Sequence, residues 1–263
     1  MASLLTSPAP AQVTVPDVGV RLPEVTLPTP GIDVRSPALD AKLDARRLQV
    51  QARARSHPDR LALDPRGELI VRDELLAEPA DEAALAAVLA DGFTVRRRQE
   101  LPGLDVNLYV LQAPAGSSLP AALRRLRRLD PAGHYDYHHV LGEGGNAEAT
   151  TVAVAPEAPP VRAGASVQVQ VGLVDGGVAA THEAFAGTSV VAHGCGGPIV
   201  PSAHGTAVAS LLVETLGARS SRPPGHVQLL AADVYCGDAA GGAVERVIEA
   251  LAWLAHRQVP VIN

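Results

Sequence analysis

The alternation of apolar and polar positions changes character about two thirds of the way along the chain. Over residues 61–141, short apolar runs alternate with amphipathic stretches. "GELIVRDELLA" carries a strand-like apolar centre, and "ADEAALAAVLADG" reads as a helix closed by Gly92. "FTVRRRQELPGLDVNLYVLQAP" alternates on both sides of Pro102-Gly103, as a long strand or hairpin does. "SLPAALRRLRRLD" sets Leu119, Leu123, Leu126 and Leu129 on one side with paired arginines opposite. A leucine stripe backed by arginines is a core face with a solvated back, so the arginines do not argue for nucleic acid. "HYDYHHVLG" is the closing strand. This βαββαβ-like order predicts a small α+β (ferredoxin-like) unit with an antiparallel sheet. His138 and His139 are adjacent in its last strand and point to opposite faces, which places them badly to share a metal ion.

From Val167 onward the grammar is that of alternating strands and helices. "VQVQVGLVD", "TSVVAH", "HVQLLAADVY" and "VPVIN" read as strands, and "HGTAVASLLVETLGA" and "AVERVIEALAWLAHRQ" as helices. Such alternation predicts a parallel sheet with helices on both faces, whose ligands sit at the carboxyl ends of the strands. The residues before 61 divide into an extended, Pro/Thr/Val-rich leader and a helix, "SPALDAKLDARRLQVQARARSH", with Ser36 at its cap and Pro37 at its first position. Residues 142–166 are small, Gly/Pro-rich and aperiodic, and read as a linker. Within them "GEGGNA" matches a dinucleotide fingerprint formally, but no helix follows it. The expected organisation is therefore 1–60 leader and helix, 61–141 α+β unit, 142–166 linker, and 167–263 parallel α/β unit.

Composition narrows the function classes. Hydrophobic residues make up 47% of the 263 positions but aromatics only 3%, so the cores are built from Ala, Val and Leu. The net charge is −6 and Lys42 is the one lysine. That balance argues against a general nucleic-acid binder. No run approaches the roughly 18 apolar residues of a bilayer-spanning helix. "MASLLTSPAPAQ" lacks a positive n-region and resembles only the tail of a secretory signal, with "APA" as a cleavage-like site. Either the protein is not exported or its start lies upstream. Cys195 and Cys236 are too few for a structural zinc site; they pair in an oxidising compartment and otherwise stand as two thiols.

The chemistry concentrates in two stretches. Asp175 ends the apolar strand "VQVGLVD" and is followed by Gly176-Gly177. His204 stands at the mouth of the apolar helix that opens with Gly205-Thr206. Strand, Asp-Gly-Gly-Val, "THEAF", then His-Gly-Thr opening a helix resembles, in that order, the subtilisin-like serine proteases. "LLAADVYCGDAAGG" and "AVERVIEALAWLAHRQVPVIN" look like that family's next strand, cleft-bordering loop, helix and strand, so the resemblance spans 167–263. It implies that His204 is a general base and Asp175 the carboxylate that fixes its tautomer, in peptide-bond hydrolysis through an acyl-enzyme. It further implies that the backbone at Gly237, Gly241 and Gly242 borders the substrate, and that residues 61–141 form an inhibitory pro-domain bound in cis. Its partners would be a protein or peptide substrate, with no nucleic acid and no membrane span. A secreted, periplasmic or cell-envelope location and a Cys195–Cys236 disulfide at the cleft rim follow from the exported family. No cofactor or metal is implied; some relatives bind calcium, but no acidic cluster here stands out.

Three departures accompany the resemblance. Ala207 replaces a second histidine common in the family, and Asp-Gly-Gly replaces Asp-Thr/Ser-Gly. The third is larger: the sequence reaches Asn263 before any counterpart of the family's nucleophilic serine or oxyanion-hole asparagine. The expectation is an amino-terminal portion of a protease precursor, with an incomplete sheet and no activity as given. Gly187-Thr188-Ser189 precedes His204 and runs into a strand, so Ser189 does not read as the nucleophile. "HEAFA" has Ala186 where a metalloprotease needs its second histidine. The alternative reading is a short non-catalytic protein that binds or inhibits a protease, or assists its folding. A generic α/β ligand-binding domain lacks support, because no phosphate-binding glycine loop is present.

Overall fold

The computed structural model describes residues 37–142, 169–220 and 227–263. The leader before Pro37 and the linker from residue 143 fall outside the described residues. The long first helix is present, as α1 (Pro37–Ser56). Its Val50 and Ala54 sit against Leu61, Leu69 and Val140.

Strand β1 (Leu61–Leu63) folds back on the long β2 (Leu69–Glu78). Then come α2 (Glu82–Ala90), β3 (Thr94–Leu101), β4 (Val106–Gln112), α3 (Leu119–Leu129) and β5 (His134–Leu141). Asp81 caps α2 through its side chain, and Gly92 ends that turn at φ +94, a conformation that suits glycine. The four long strands pair in the order β3-β4-β2-β5, every pair antiparallel. That is the βαββαβ arrangement the pattern predicts. One face of the sheet closes on α2 and α3 through Leu75, Leu111, Val88, Phe93, Leu123 and Leu126. Each fully buried leucine there contributes about 1.5–3 kcal/mol by removal from water. Leu129, expected on the same stripe, is 39% exposed, because α3 ends there and the chain turns away at Asp130.

The second grammar gives β6 (Val169–Asp175), β7 (Ser189–Gly194), α4 (Ala203–Ser220), β8 (Val227–Asp233), β9 (Gly242–Ala243) and α5 (Val244–His256). Strands β6, β8 and β7 form a parallel sheet in that order, with Asp175 level with Asp233. "VPVIN" begins a further parallel neighbour of β6: Gly172 N–H donates to Val261 O, and Asn263 N–H donates back to Gly172 O. Alternation along β8 divides its side chains. Val227, Leu229 and Ala231 face α4, whereas Leu230 and Ala232 face α5.

Helix α5 is the hinge of the architecture. Ala250 and Leu254 bury against the parallel sheet, while Val244, Ile248 and Ala252 bury against Leu76, Leu101, Leu108 and Val110 of the antiparallel sheet. One helix therefore serves two sheets, which explains its apolar content on more than one side. The short β9 pairs with the end of β5, Ala243 opposite Val140 and Gly242 opposite Leu141. The loop expected over "DAAGG" thus ends on a strand residue, Gly242, and the helix expected from Ala243 begins one residue later, so residues 61–141 continue their sheet onto the segment that leads into α5.

Candidate active site

Asp175 and His204 come together at the carboxyl edge of the parallel sheet. His204 Nε2 lies 3.3 Å from Asp175 Oδ2, an ion-pair distance, with Asp175 mostly buried and His204 about one third exposed. The other carboxylate oxygen accepts the Gly176 N–H at 2.6 Å, which fixes the carboxyl plane.

The flanking residues explain why these two segments meet. Ser202 precedes α4 and acts as its cap: its hydroxyl accepts the Gly205 N–H at 2.9 Å, and its carbonyl accepts the Thr206 N–H. The Ser202 N–H donates to Gly177 O at 2.8 Å. In return, Thr206 Oγ1 accepts the Ala179 N–H at 3.1 Å. The helix mouth and the Asp-Gly-Gly turn are therefore stitched by hydrogen bonds in both directions. The approach is too close for a side chain at either glycine. A Cβ on Gly205 would lie 2.2 Å from Gly176 O, and one on Gly177 would lie 2.2 Å from Val200 O. Glycine follows His204 because backbone touches backbone there, and that contact holds the histidine beside the aspartate.

The ring orientation departs from a working triad. In such a triad the aspartate takes the Nδ1–H and Nε2 faces the nucleophile. Here Nε2 faces the aspartate, and among the described residues no serine hydroxyl hydrogen-bonds to His204 to hold the ring the other way. Ser189 stands at the start of β7, level with Gln228, whereas Asp175 is level with Asp233. Five strand residues, about 16 Å, separate those ends of the sheet, so Ser189 does not reach the pair.

Cys195 and Cys236 are joined in a disulfide across a separation of 41 residues. The bridge ties the turn after β7 to the turn after β8, at the same carboxyl edge as Asp175. Gly237 follows it at φ +64, and Gly241 and Gly242 lead into and form β9. Asp233, buried at the end of β8, accepts the Tyr235 and Cys236 N–H groups and so shapes that turn. Arg60 grips the following Asp238 with two hydrogen bonds, 2.6 and 3.2 Å. That ion pair holds the Asp238 carboxyl below the usual aspartate range, against the opposing effect of its burial.

A second polar group was not foreseen from the sequence. His138 on β5 is buried to 1% exposure between Glu74 of β2 and Glu245 in the first turn of α5. Arg97 of β3 forks onto both Glu245 oxygens at 2.9 and 2.7 Å and reaches Glu74 at 3.1 Å. The signal in the sequence was present but faint. Glu74 is in phase with Leu76, Arg97 with Leu101 and His138 with Val140, so each charge sits at an inward position of its strand. The three metal-ligating side chains of this group lie within 4.8 Å of one another, but Arg97 Nη2 occupies the space between the two carboxylates that a cation would need. Cys195, Asp233 and Cys236 are similarly close, with both sulfurs committed to the disulfide.

No family model matches the chain, and no curated protein matches it. Among the described residues no helix is long and apolar enough to cross a membrane.

Proposed function

We propose that this chain is the amino-terminal portion of a subtilisin-like serine endopeptidase precursor, with residues 61–141 as its pro-domain and 167–263 as the first part of its catalytic domain. The observation that carries this reading is the Asp175–His204 pair, 3.3 Å apart at the carboxyl edge of a parallel sheet and stitched in place by the residues flanking each partner. Asp175 orients the imidazole and stabilises it once charged; His204 takes the proton of a serine hydroxyl as that oxygen attacks the peptide carbonyl. The serine and the oxyanion donor are not supplied by these 263 residues, so the chain by itself hydrolyses nothing. The seat of β5 on β9 supports the pro-domain assignment. The last strand of residues 61–141 lies along Gly242–Ala243, and Gly242 is one of the residues whose backbone the resemblance assigns to the substrate edge. The disulfide supports an exported location, where thiols oxidise.

The experiment is an assay of the gene product isolated from its source against an unfolded protein substrate. Asp175→Asn and His204→Ala are each expected to lower kcat by about 10⁴-fold or more. Turnover that survives either substitution would defeat the proposal. The β5–β9 pairing also favours a second reading, in which the α+β unit is itself the functional part and binds a protease by strand addition. Inhibition of a subtilisin-type enzyme by the whole 263-residue chain, with Asp175 and His204 dispensable, would support that one instead.

A further inference from the structure

The group around His138 is unusual for where it sits. It interrupts an otherwise apolar contact between the antiparallel sheet and α5, in which Leu76, Leu101, Leu108 and Val110 meet Val244, Ile248 and Ala252. The charged groups facing His138 are Glu74 from β2, Arg97 from β3 and Glu245 from α5; β4 contributes the apolar Leu108 and Val110 to this face, with the uncharged Gln112 opposite Glu74. Two carboxylates and one guanidinium leave one negative charge uncompensated. Both imidazole nitrogens point at carboxylate oxygens, Nδ1 at Glu74 Oε2 (2.8 Å) and Nε2 at Glu245 Oε2 (3.4 Å). An imidazolium offers a donor at each nitrogen and brings the group to neutrality. A neutral imidazole offers one donor. Nε2 makes no hydrogen bond, so its approach to Glu245 is a charge contact that exists only with the ring protonated; with Nδ1–H on Glu74 in the neutral ring, the Nε2 lone pair faces that carboxylate.

We propose that His138 is a proton-operated latch: protonated, it clamps residues 61–141 onto α5, and loss of its proton loosens that contact. The sign follows from charge balance. Deprotonation leaves the mostly buried Glu74 and Glu245 carboxylates sharing the single guanidinium of Arg97, a net negative charge held at the contact. Grip is therefore stronger with the ring charged than with it neutral. The effect operates at the contact between α5 and the antiparallel sheet and holds whatever chemistry the Asp175–His204 pair performs.

The test is amide hydrogen exchange on the whole chain at about pH 6 and about pH 8, corrected for the intrinsic base catalysis of exchange. Amides of the β5–β9 pairing and of the first turn of α5 are expected to exchange at least about tenfold faster at the higher pH, while those of α4 and β8 hold steady. His138→Gln, neutral at every pH, is expected to give the same rate at both. Equal wild-type rates would overturn the proposal, and so would a rise that persists in His138→Gln. Should that variant not fold, the wild-type His138 ring resonance decides: it must shift over the same pH interval as the exchange step. A ring that stays in one protonation state across that interval would also overturn the proposal. None of these readouts depends on proteolytic activity, so the latch and the protease reading fail separately.

Discussion

Gly205→Ala isolates the contact that brings His204 to Asp175. In an open helix this change is favourable by about 1 kcal/mol, because alanine loses less backbone entropy than glycine. Here the new Cβ would lie 2.2 Å from Gly176 O, 2.6 Å from its carbonyl carbon and 3.0 Å from Gly177 O. All three atoms are backbone and cannot rotate away. Ordinary contact begins near 3.4 Å, so the mouth of α4 must move by about 1 Å. Overpacking against a fixed wall costs about 3 kcal/mol at the upper end of its usual range. Set against the helix gain, the net loss is about 2 kcal/mol, or about 4–8 °C in Tm for a unit of this size. The displacement also stretches the Ser202–Gly177 and Thr206–Ala179 hydrogen bonds and opens the 3.3 Å Asp175–His204 distance. Urea and thermal unfolding measure the first consequence, and the His204 ring resonance, compared with that of Asp175→Asn, reports the second. A variant as stable as the wild type, or more so, with an unchanged His204 resonance would refute the close-approach account of the His-Gly-Thr sequence.

Reducing the Cys195–Cys236 bridge frees a loop of 41 residues that contains His204, and the chain-entropy account assigns that loop about 4 kcal/mol. Urea midpoints with and without a dithiol reductant measure it, and coincident midpoints would contradict it. Asp130 supplies an acid-side dependence. Burial opposes its ionisation, but donation from the Ala80 N–H, the Tyr135 hydroxyl and the Gly133 N–H holds its carboxyl below the usual aspartate range. A depressed folded value means this stabilisation is complete above the ordinary aspartate range and is lost as the pH falls through the folded value. Asp130→Asn is expected to cost about 1–3 kcal/mol at neutral pH and to flatten the acid limb of stability against pH; an unaltered acid limb would show that this carboxylate does not carry it. In the α+β core, Leu111→Ala removes a fully buried side chain and is expected to cost about 2–5 kcal/mol in chemical denaturation.

Much of this architecture is legible where one local signal decides it. Alternation on both sides of Pro102-Gly103 gives β3 and β4, a short apolar run gives β8, Gly92 ends α2, and the Asp-Gly-Gly and His-Gly-Thr stretches mark the two sides of the candidate site. Those two stretches were readable because each lies at an element boundary, where one residue type fills one backbone need. What stayed hidden depends on distant partners. Gly242 and Ala243, the end of "DAAGG" and the first residue of the expected helix, become β9 only because β5 offers an edge about 100 positions earlier in the chain. The short β1 lies ahead of the strand read over "GELIVRDELLA" and pairs with it, since Asp64 accepts the N–H groups of Arg66 and Glu68 and reverses the chain there. The Glu74–Arg97–His138–Glu245 group joins four elements that nothing local connects. Glu74, Arg97 and His138 each look like an ordinary polar residue on a strand, and α5 arriving over the sheet with Glu245 covers His138 and most of Glu74 while Arg97 stays half exposed.

The most direct test of the central assignment is reaction of the gene product, purified from its source, with a serine-directed fluorophosphonate, read by intact mass and by mapping the adduct. The account predicts a native product heavier than 27.1 kDa, one adduct on a serine outside residues 1–263, and loss of that adduct in His204→Ala. A native product of 27.1 kDa or less that takes no adduct would contradict it, leaving Asp175 and His204 a pair with no nucleophile to activate.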